Sequence, residues 1–471
     1  MNTAVQSLLS AGLRPGVPLR ALAASGQLGY GIPAAAFHAG MQRQPHFVGC
    51  DMGSIDVGPY YLGSGRLATS DAITRRDLAL VLRGARAQNL PLLIGTAGTS
   101  GAAPHLQTTL AMLRDVAREA GLDFKMAVID ADVPRELLLN QHRAGRVRPL
   151  GRIAPMDEAT ISDAAHVVGQ MGNEAFIRAL QTEPDVIIAG RACDTAVFAS
   201  IPVMLGYDTA LSVHMAKIIE CTSICCDPGG RDAMLGTLEA DSFVLESMNP
   251  ERAATPVSVA AHSLYEQADP MTVQEPDGTL DVRDARFEAV DARRTRVSGA
   301  TWREATQKTV KIEGSQWVAE RAVVCAGSCD PRVIANLAQI EAGVRKNVAA
   351  VLEGSVPAYE LEFRVYGTGA TQVYPGAKVP AGAEVFFLLE CLGPTADAAR
   401  AVATVAKQYL LHHGFAGRLS TGGNIAFPFT PPELHAGTAY RYSIYHVMDC
   451  DDLPALFPVH TEMVKGSART A

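Results

Sequence analysis

The feature that most constrains this chain is a repeated unit, a short apolar run that breaks into a loop of glycine and small polar residues and is followed by a helix-period pattern. Its clearest copy reads Leu90-Pro91-Leu92-Leu93-Ile94-Gly95-Thr96-Ala97-Gly98-Thr99-Ser100-Gly101-Ala102-Ala103-Pro104. After it, Leu106, Leu110, Leu113, Val116, Ala117 and Ala120 recur at spacings of three and four, and Gly121 is placed to end the helix in a left-handed turn. Other copies are residues 19–24 running into Ser25-Gly26, residues 46–50 into Asp51-Met52-Gly53, residues 126–129 into Asp130, and residues 185–190 into Arg191-Ala192-Cys193-Asp194. Strands alternating with helices predict an α/β fold, a doubly wound and mostly parallel sheet in the N-terminal half.

In such sheets the ligand crevice lies beyond the carboxyl ends of the strands, so the loops are where chemistry is expected. Gly95, Thr96, Gly98, Thr99, Ser100 and Gly101 have the composition of an anion cradle, with hydroxyls beside the free N–H groups of the coming helix. The G-x-x-G-x-x-G spacing is neither the dinucleotide fingerprint nor the Walker loop, and the alternative is a tight turn that binds nothing. Ser25 and Gly26 are placed beside it as further binding residues. A guanidinium at 191 is suited to clamp a substrate carboxylate in a two-pronged hydrogen bond; the alternative is that Arg191 only pairs with Asp194 or Asp51. Asp51, Asp194, Glu220 and His214 are the candidate proton-transfer groups. His214, Lys217 and Glu220 lie at spacings of three on one helix, either an acid/base relay or a polar strip. Asp51 and Asp56 are candidate ligands for a divalent cation, against the reading that both cap turns. His105, at a helix start, is either a neutral capping residue or a site histidine of lowered pKa.

A residue 157–181 helix, interrupted near 169–173, precedes the fifth of these strands, at 185–190. From about Asp241 the pattern changes to short β-like runs near 242–245, 287–290, 294–297, 308–312 and 321–325, and then to helices at 331–352 and 395–412 with strands at 359–365, 383–391 and 440–447. The expected division is an α/β domain over 1–240, a β-rich α+β portion over 241–375 and a small α+β layer over 376–471, with a glycine-rich stretch at 414–424.

With 41 basic against 49 acidic residues and no basic block among aromatics, a nucleic-acid surface is not expected. The first residues do not read as an export signal and no apolar run reaches the roughly 20 residues of a membrane span, so the expectation is a cytoplasmic protein without membrane contact. Nine cysteines then read as reduced thiols. Cys221, Cys225 and Cys226 cluster without the C-x-x-C spacing of a structural zinc site, so ligation through sulfur is not expected.

The ordered set Ser25-Gly26-Gln27-Leu28-Gly29, Phe47-Val48-Gly49-Cys50-Asp51, the loop at 95–104, Ala120-Gly121-Leu122-Asp123-Phe124, Gly190-Arg191-Ala192-Cys193-Asp194-Thr195, Ile218-Ile219-Glu220-Cys221, Leu264-Tyr265-Glu266, Arg296-Val297-Ser298-Gly299 and Lys308-Thr309-Val310-Lys311 resembles the acyclic terpene utilisation (AtuA) family over about residues 20–350. The loop departs from the N-A-G-G-x-N-P wording usual there, with small hydroxyl residues where an asparagine is expected, and this leaves the substrate open. The resemblance implies a part in acyclic terpenoid breakdown through coenzyme A thioesters, with no assigned reaction. Together these readings predict a catabolic enzyme acting on a small carboxylate or acyl-CoA thioester by lyase, hydratase or isomerase chemistry. The alternative is a non-catalytic ligand-binding or scaffolding subunit that needs a partner chain. A coenzyme A thioester as substrate or a divalent cation, a homo-oligomer and a small partner subunit are the associated expectations.

Overall fold

A computed structural model describes residues 2–356, 358–371, 381–419 and 424–466. The chain divides into two compact units, residues 1–316 with 442–471, and residues 317–441.

The first unit is built on a ten-stranded sheet. In order across it run Arg286–Ala289, Arg294–Ser298, Phe243–Ser247, Met234–Leu238, Leu19–Ser25, Phe47–Asp51, Leu92–Gly95, Val186–Ala189, Phe124–Ile129 and Val459–Val464. The five strands from Leu19–Ser25 to Phe124–Ile129 are parallel. They read as continuous apolar runs because both of their faces are covered. Leu93, Ile187 and Ala189 enter one core with Phe176, Phe198 and Val213 of the helices Asn173–Leu180, Asp194–Met204 and Thr209–Ile219. Leu92, Ile94, Val186 and Ile188 enter the other with Phe37, Leu78, Leu82, Leu106 and Leu113 of Ala34–Gln42, Asp71–Ala87 and Ala103–Ala120. This is the doubly wound α/β arrangement, and Gly121 does cap its helix at φ +63°.

The strands after residue 232 do not start a separate layer. Met234–Leu238 pairs antiparallel with Leu19–Ser25, and Phe243–Ser247 and Arg294–Ser298 extend the same sheet. The free backbone edge of the first strand is satisfied in this way. The expected helix over 157–181 is also three elements, a helix Glu158–Asp163, a strand Ala164–Gly169 and the helix Asn173–Leu180. The strand forms because residues 164–169 find a partner about 145 residues on, Ile312 opposite Gly169 and Ser315 opposite His166, a long-range pairing that overrides local propensity.

In the second unit, residues 320–328 pair antiparallel with Val385–Gly393, which pairs with Glu360–Tyr366. Leu337–Leu352 and Ala396–His412 supply Val344, Val348, Val402 and Ala403 to a core shared with Val324, Phe387 and Leu389. Of the glycine-rich stretch at 414–424, residues 420–423 lie outside the described residues. Among the described residues no helix is long and apolar enough to cross a membrane.

Candidate functional site

Three of the loops at the carboxyl ends of the parallel strands converge on one place. Ser25 ends the first strand and Gly26 follows it, Asp51 ends the second, and Arg191 to Asp194 follow Val186–Ala189. With Glu220 and Cys221, which follow the helix Thr209–Ile219, and Asp56, they border two adjoining cavities of about 250 and 350 Å3. The two share Ser54, Asp56, Asp194, Glu220 and Glu266. Gly26 must be glycine because a Cβ there would stand 2.5 Å from the carbonyl oxygen of Glu220.

Asp51 is buried at 3% exposure, and its Oδ2 accepts from the Gly53 N–H at 3.0 Å. Its Oδ1 is buried without a hydrogen-bond partner among the described residues, and so is Oδ1 of Asp194. Two buried carboxylates that border one cavity and repel each other do not both ionise readily. Burial first and then the Asp194 charge push Asp51 well above the usual carboxylate range, with Arg191 pulling the other way. Burial and then the Glu220 carboxylate push Asp194 up to about 7, against the pull of Arg191 and Lys217. Glu275, which the sequence reading passed over, accepts from the Thr195 hydroxyl at 2.6 Å, and burial pushes it too to about 7.

The cations are committed to structure. Arg191 turns its fork on Glu313, with Nε to Oε2 at 2.8 Å and the second prong at 3.4 Å, so it is not open to clamp a substrate carboxylate. Lys311 Nζ lies 2.8 Å from the same Glu313 and 4.7 Å above the Tyr445 ring. Both positive neighbours outweigh burial and hold Glu313 below its ordinary pKa. Glu313 had only one signal in the sequence, a charged residue in an otherwise apolar β-run beside Lys311. Lys217 Nζ lies 2.9 Å from Glu220 Oε1, and this charge outweighs burial to raise the Lys217 pKa. Glu266 lies 3.8 Å from the same Nζ, and the Asp194 charge acts on it as well.

The glycine loop, His214 and His105 do not border the cavities, whereas Asp56 does. The glycine loop is packed under them, with Gly95, Thr96, Gly98, Thr99, Ser100 and Gly101 all buried. Its N–H groups at Thr96 and Ala97 bond to the carbonyls of Gly190 and Ala189, and the Arg191 N–H bonds back to Gly101. An added Cβ at Gly101, where φ is +69°, would stand 2.2 Å from the Arg191 nitrogen. The loop therefore seats the Arg191 segment through the N–H groups of Thr96 and Ala97, and the Gly101 N–H turns back on the Ala97 carbonyl. His214 is a core residue: Nε2 bonds Ser263 Oγ at 2.6 Å and the ring stands edge-on to Phe243 and Phe287. Burial lowers its pKa to about 3. His105 is buried as well, with Nε2 3.0 Å from the Tyr61 carbonyl. Asp56 is exposed and accepts from Ser54 Oγ at 2.9 Å. It borders the same cavity as Asp51, while Asp51 turns its Oδ2 back on Gly53.

The electrostatic character follows from this inventory. Among the described residues, the smaller cavity is bordered by Asp51, Asp56, Asp194, Glu220 and Glu266 against one cation, Arg231, whose guanidinium lies 5.5 Å from the centre of the Tyr30 ring. Such a place takes up protons or cations and is unfavourable to a bare anion.

Searches of curated proteins and of solved structures return no match to the chain. The family model for the acyclic terpene utilisation family protein AtuA matches residues 81–232 and 241–430, well over half of the sequence. That span holds Asp194, Glu220, Glu275 and Glu313, while Ser25, Gly26 and Asp51 lie before it. On that match the chain belongs to the acyclic terpene utilisation family AtuA.

Proposed function

We propose that this protein is an enzyme of acyl-group catabolism that moves protons on an acyl-CoA thioester, by hydration, dehydration or isomerisation. The observation that carries this reading is the pair Asp51 and Asp194: two buried carboxyls bordering one cavity, each with an oxygen that has no hydrogen-bond partner among the described residues. A pair that holds one proton between its members supplies a base and an acid in one place near neutral pH. Of the two substrate classes open from the sequence, the thioester is favoured over the free carboxylate. Its carbonyl is neutral, whereas a carboxylate would enter a cavity bordered by acids and find the Arg191 fork already engaged. The two cavities are sized for a small acyl group.

The test is turnover of a panel of short enoyl- and 3-hydroxyacyl-CoA thioesters and their free acids. Asp51→Asn and Asp194→Asn are each expected to lower kcat by about 10²- to 10⁴-fold with KM little changed. Full turnover in both variants would remove the assigned roles. Thioesters that raise the melting temperature of the wild-type protein but are never converted would favour a binding subunit instead.

A further inference from the structure

A second set of side chains on the same wall, in which Glu220 also sets the charge that Asp194 feels, is arranged for a different task. Glu220, Cys221 and His262 each offer one ligand atom, and these three atoms lie within 4.8 Å of one another. Tetrahedral zinc holds its ligands at about 2.0 to 2.3 Å and so about 3.3 to 3.9 Å apart, a contraction of no more than about an ångström and a half from this spacing. The donors come from separate elements whose placement is firm. Glu220 is the C-terminal cap of Thr209–Ile219, a helix with every residue from Ala210 to Ile219 buried. Cys221 is the next residue. His262 sits in Pro256–Ser263, which begins with a capping box on Thr255.

The division of hydrogen bonds among these groups is that of a prepared site. Glu220 spends Oε1 on Lys217 at 2.9 Å and keeps Oε2 for Cys221, whose thiol donates to it across 3.0 Å. The sulfur and that oxygen are already side by side, with a proton where a cation would sit. His262 is over nine-tenths buried, its ring stacks on Tyr265 with centroids 5.4 Å apart, and its Nε2 is sealed from solvent with no hydrogen-bond partner among the described residues. A buried ring nitrogen left in this state is a cost that ligation removes. The excess of carboxylates on the adjoining cavity lowers the energy of a cation there.

We propose that Glu220, Cys221 and His262 form a three-ligand site for one divalent transition cation of the zinc class, with its remaining coordination position open to the cavity that Glu220 and Cys221 line. The donor set of one thiolate, one imidazole and one carboxylate selects a borderline-soft cation over magnesium or calcium. Three protein ligands with one position left over is the form of a catalytic rather than a structural zinc site. On binding, the cation forms bonds to sulfur, nitrogen and Glu220 Oε2, the S–H bond of Cys221 breaks, and its proton leaves to solvent. Lys217 stays on Oε1 and orients the carboxylate from outside the coordination sphere. The proposal does not depend on the reaction suggested above, because it is read from binding alone.

The test uses the full-length chain stripped with a chelator and titrated with Zn2+ and, separately, Co2+. One ion per chain is expected, bound more tightly than roughly micromolar, and Co2+ should give a near-ultraviolet thiolate charge-transfer band. Cys221→Ser should abolish the band, and His262→Ala should weaken Zn2+ binding at least about a hundredfold, while Cys226→Ser retains both. In the wild-type chain Zn2+ should protect Cys221 from alkylation and leave the exposed Cys329 unprotected, a measurement that stands even where a variant fails to fold. No stoichiometric binding, a cobalt band that survives Cys221→Ser, or equal alkylation of Cys221 with and without Zn2+ would each overturn the proposal. Loss of turnover in Asp194→Asn with Zn2+ binding intact would leave it standing and concern only the acid–base reading.

Discussion

The carboxylates of the site are shifted in opposite directions, Glu313 down and Asp194 up. Glu313 lies between Arg191 and Lys311, and its folded pKa is below its unfolded one, so its contribution to stability is present above about pH 4.3 and is lost as acid titrates it. Asp194 faces Asp51, Glu220 and Glu275 on one side and Arg191 and Lys217 on the other, and the balance raises it to about 7. A carboxyl with a raised folded pKa binds its proton more tightly when folded, so it costs stability progressively from about pH 4 up to about pH 7. In metal-free protein, Asp194→Asn is therefore expected to be more stable than wild type at pH 8, by up to a few kcal/mol, and nearly equal to it at pH 4.5. Urea unfolding at the two pH values checks this, and a difference that does not change with pH would refute it. Such a carboxylate is held at the expense of stability, as is common where a group is kept for chemistry.

Among the elements, the glycine loop at residues 95–101 is the one whose meaning changed most. It has the composition of an anion cradle, yet the N–H groups of Thr96 and Ala97 are taken by the chain at 189–190 and its Gly101 lies under the Arg191 backbone. Gly101→Ala is expected to destabilise by about 3 kcal/mol, since it combines a left-handed φ with a contact that only backbone movement relieves. Gly121→Ala is the companion, with φ +63° and open space around it, and is expected to cost only about 1 kcal/mol. Thermal unfolding of both separates the packing part from the backbone part, and equal losses would mean that the loop is not tightly seated. The strand Ala164–Gly169 teaches a related lesson. Its residues sit in a window whose local pattern suits a helix, and only the arrival of residues 312–316 decides for a strand.

At the scale of the molecule, the centre of the ten-stranded sheet is buried on both faces and its margin is not. Every residue of Phe47–Asp51, Leu92–Gly95 and Val186–Ala189 is buried, whereas Arg286–Ala289 is mostly exposed. Amide hydrogen exchange should accordingly be slowest in those three strands and fastest, among the strands of this sheet, in Arg286–Ala289. Protection as high at that margin as at the centre would contradict the layering. The parallel centre was legible because a strand covered on both sides must be apolar throughout, and the helices around it because a one-sided helix must repeat at three and four. By itself, then, the sequence determined the doubly wound centre, the order of its strands along the chain and the fact that Asp51, Arg191 and Asp194 stand at strand ends, since each follows from local periodicity. What only the tertiary structure decided is which polar groups meet. Arg191 goes to Glu313 across 122 residues, Asp51 comes to border the cavity of Asp194, and His262 joins Glu220 and Cys221. No spacing encodes these meetings, because a charge buried at one point of the chain is satisfied by whichever distant partner the packing of the apolar faces delivers to it.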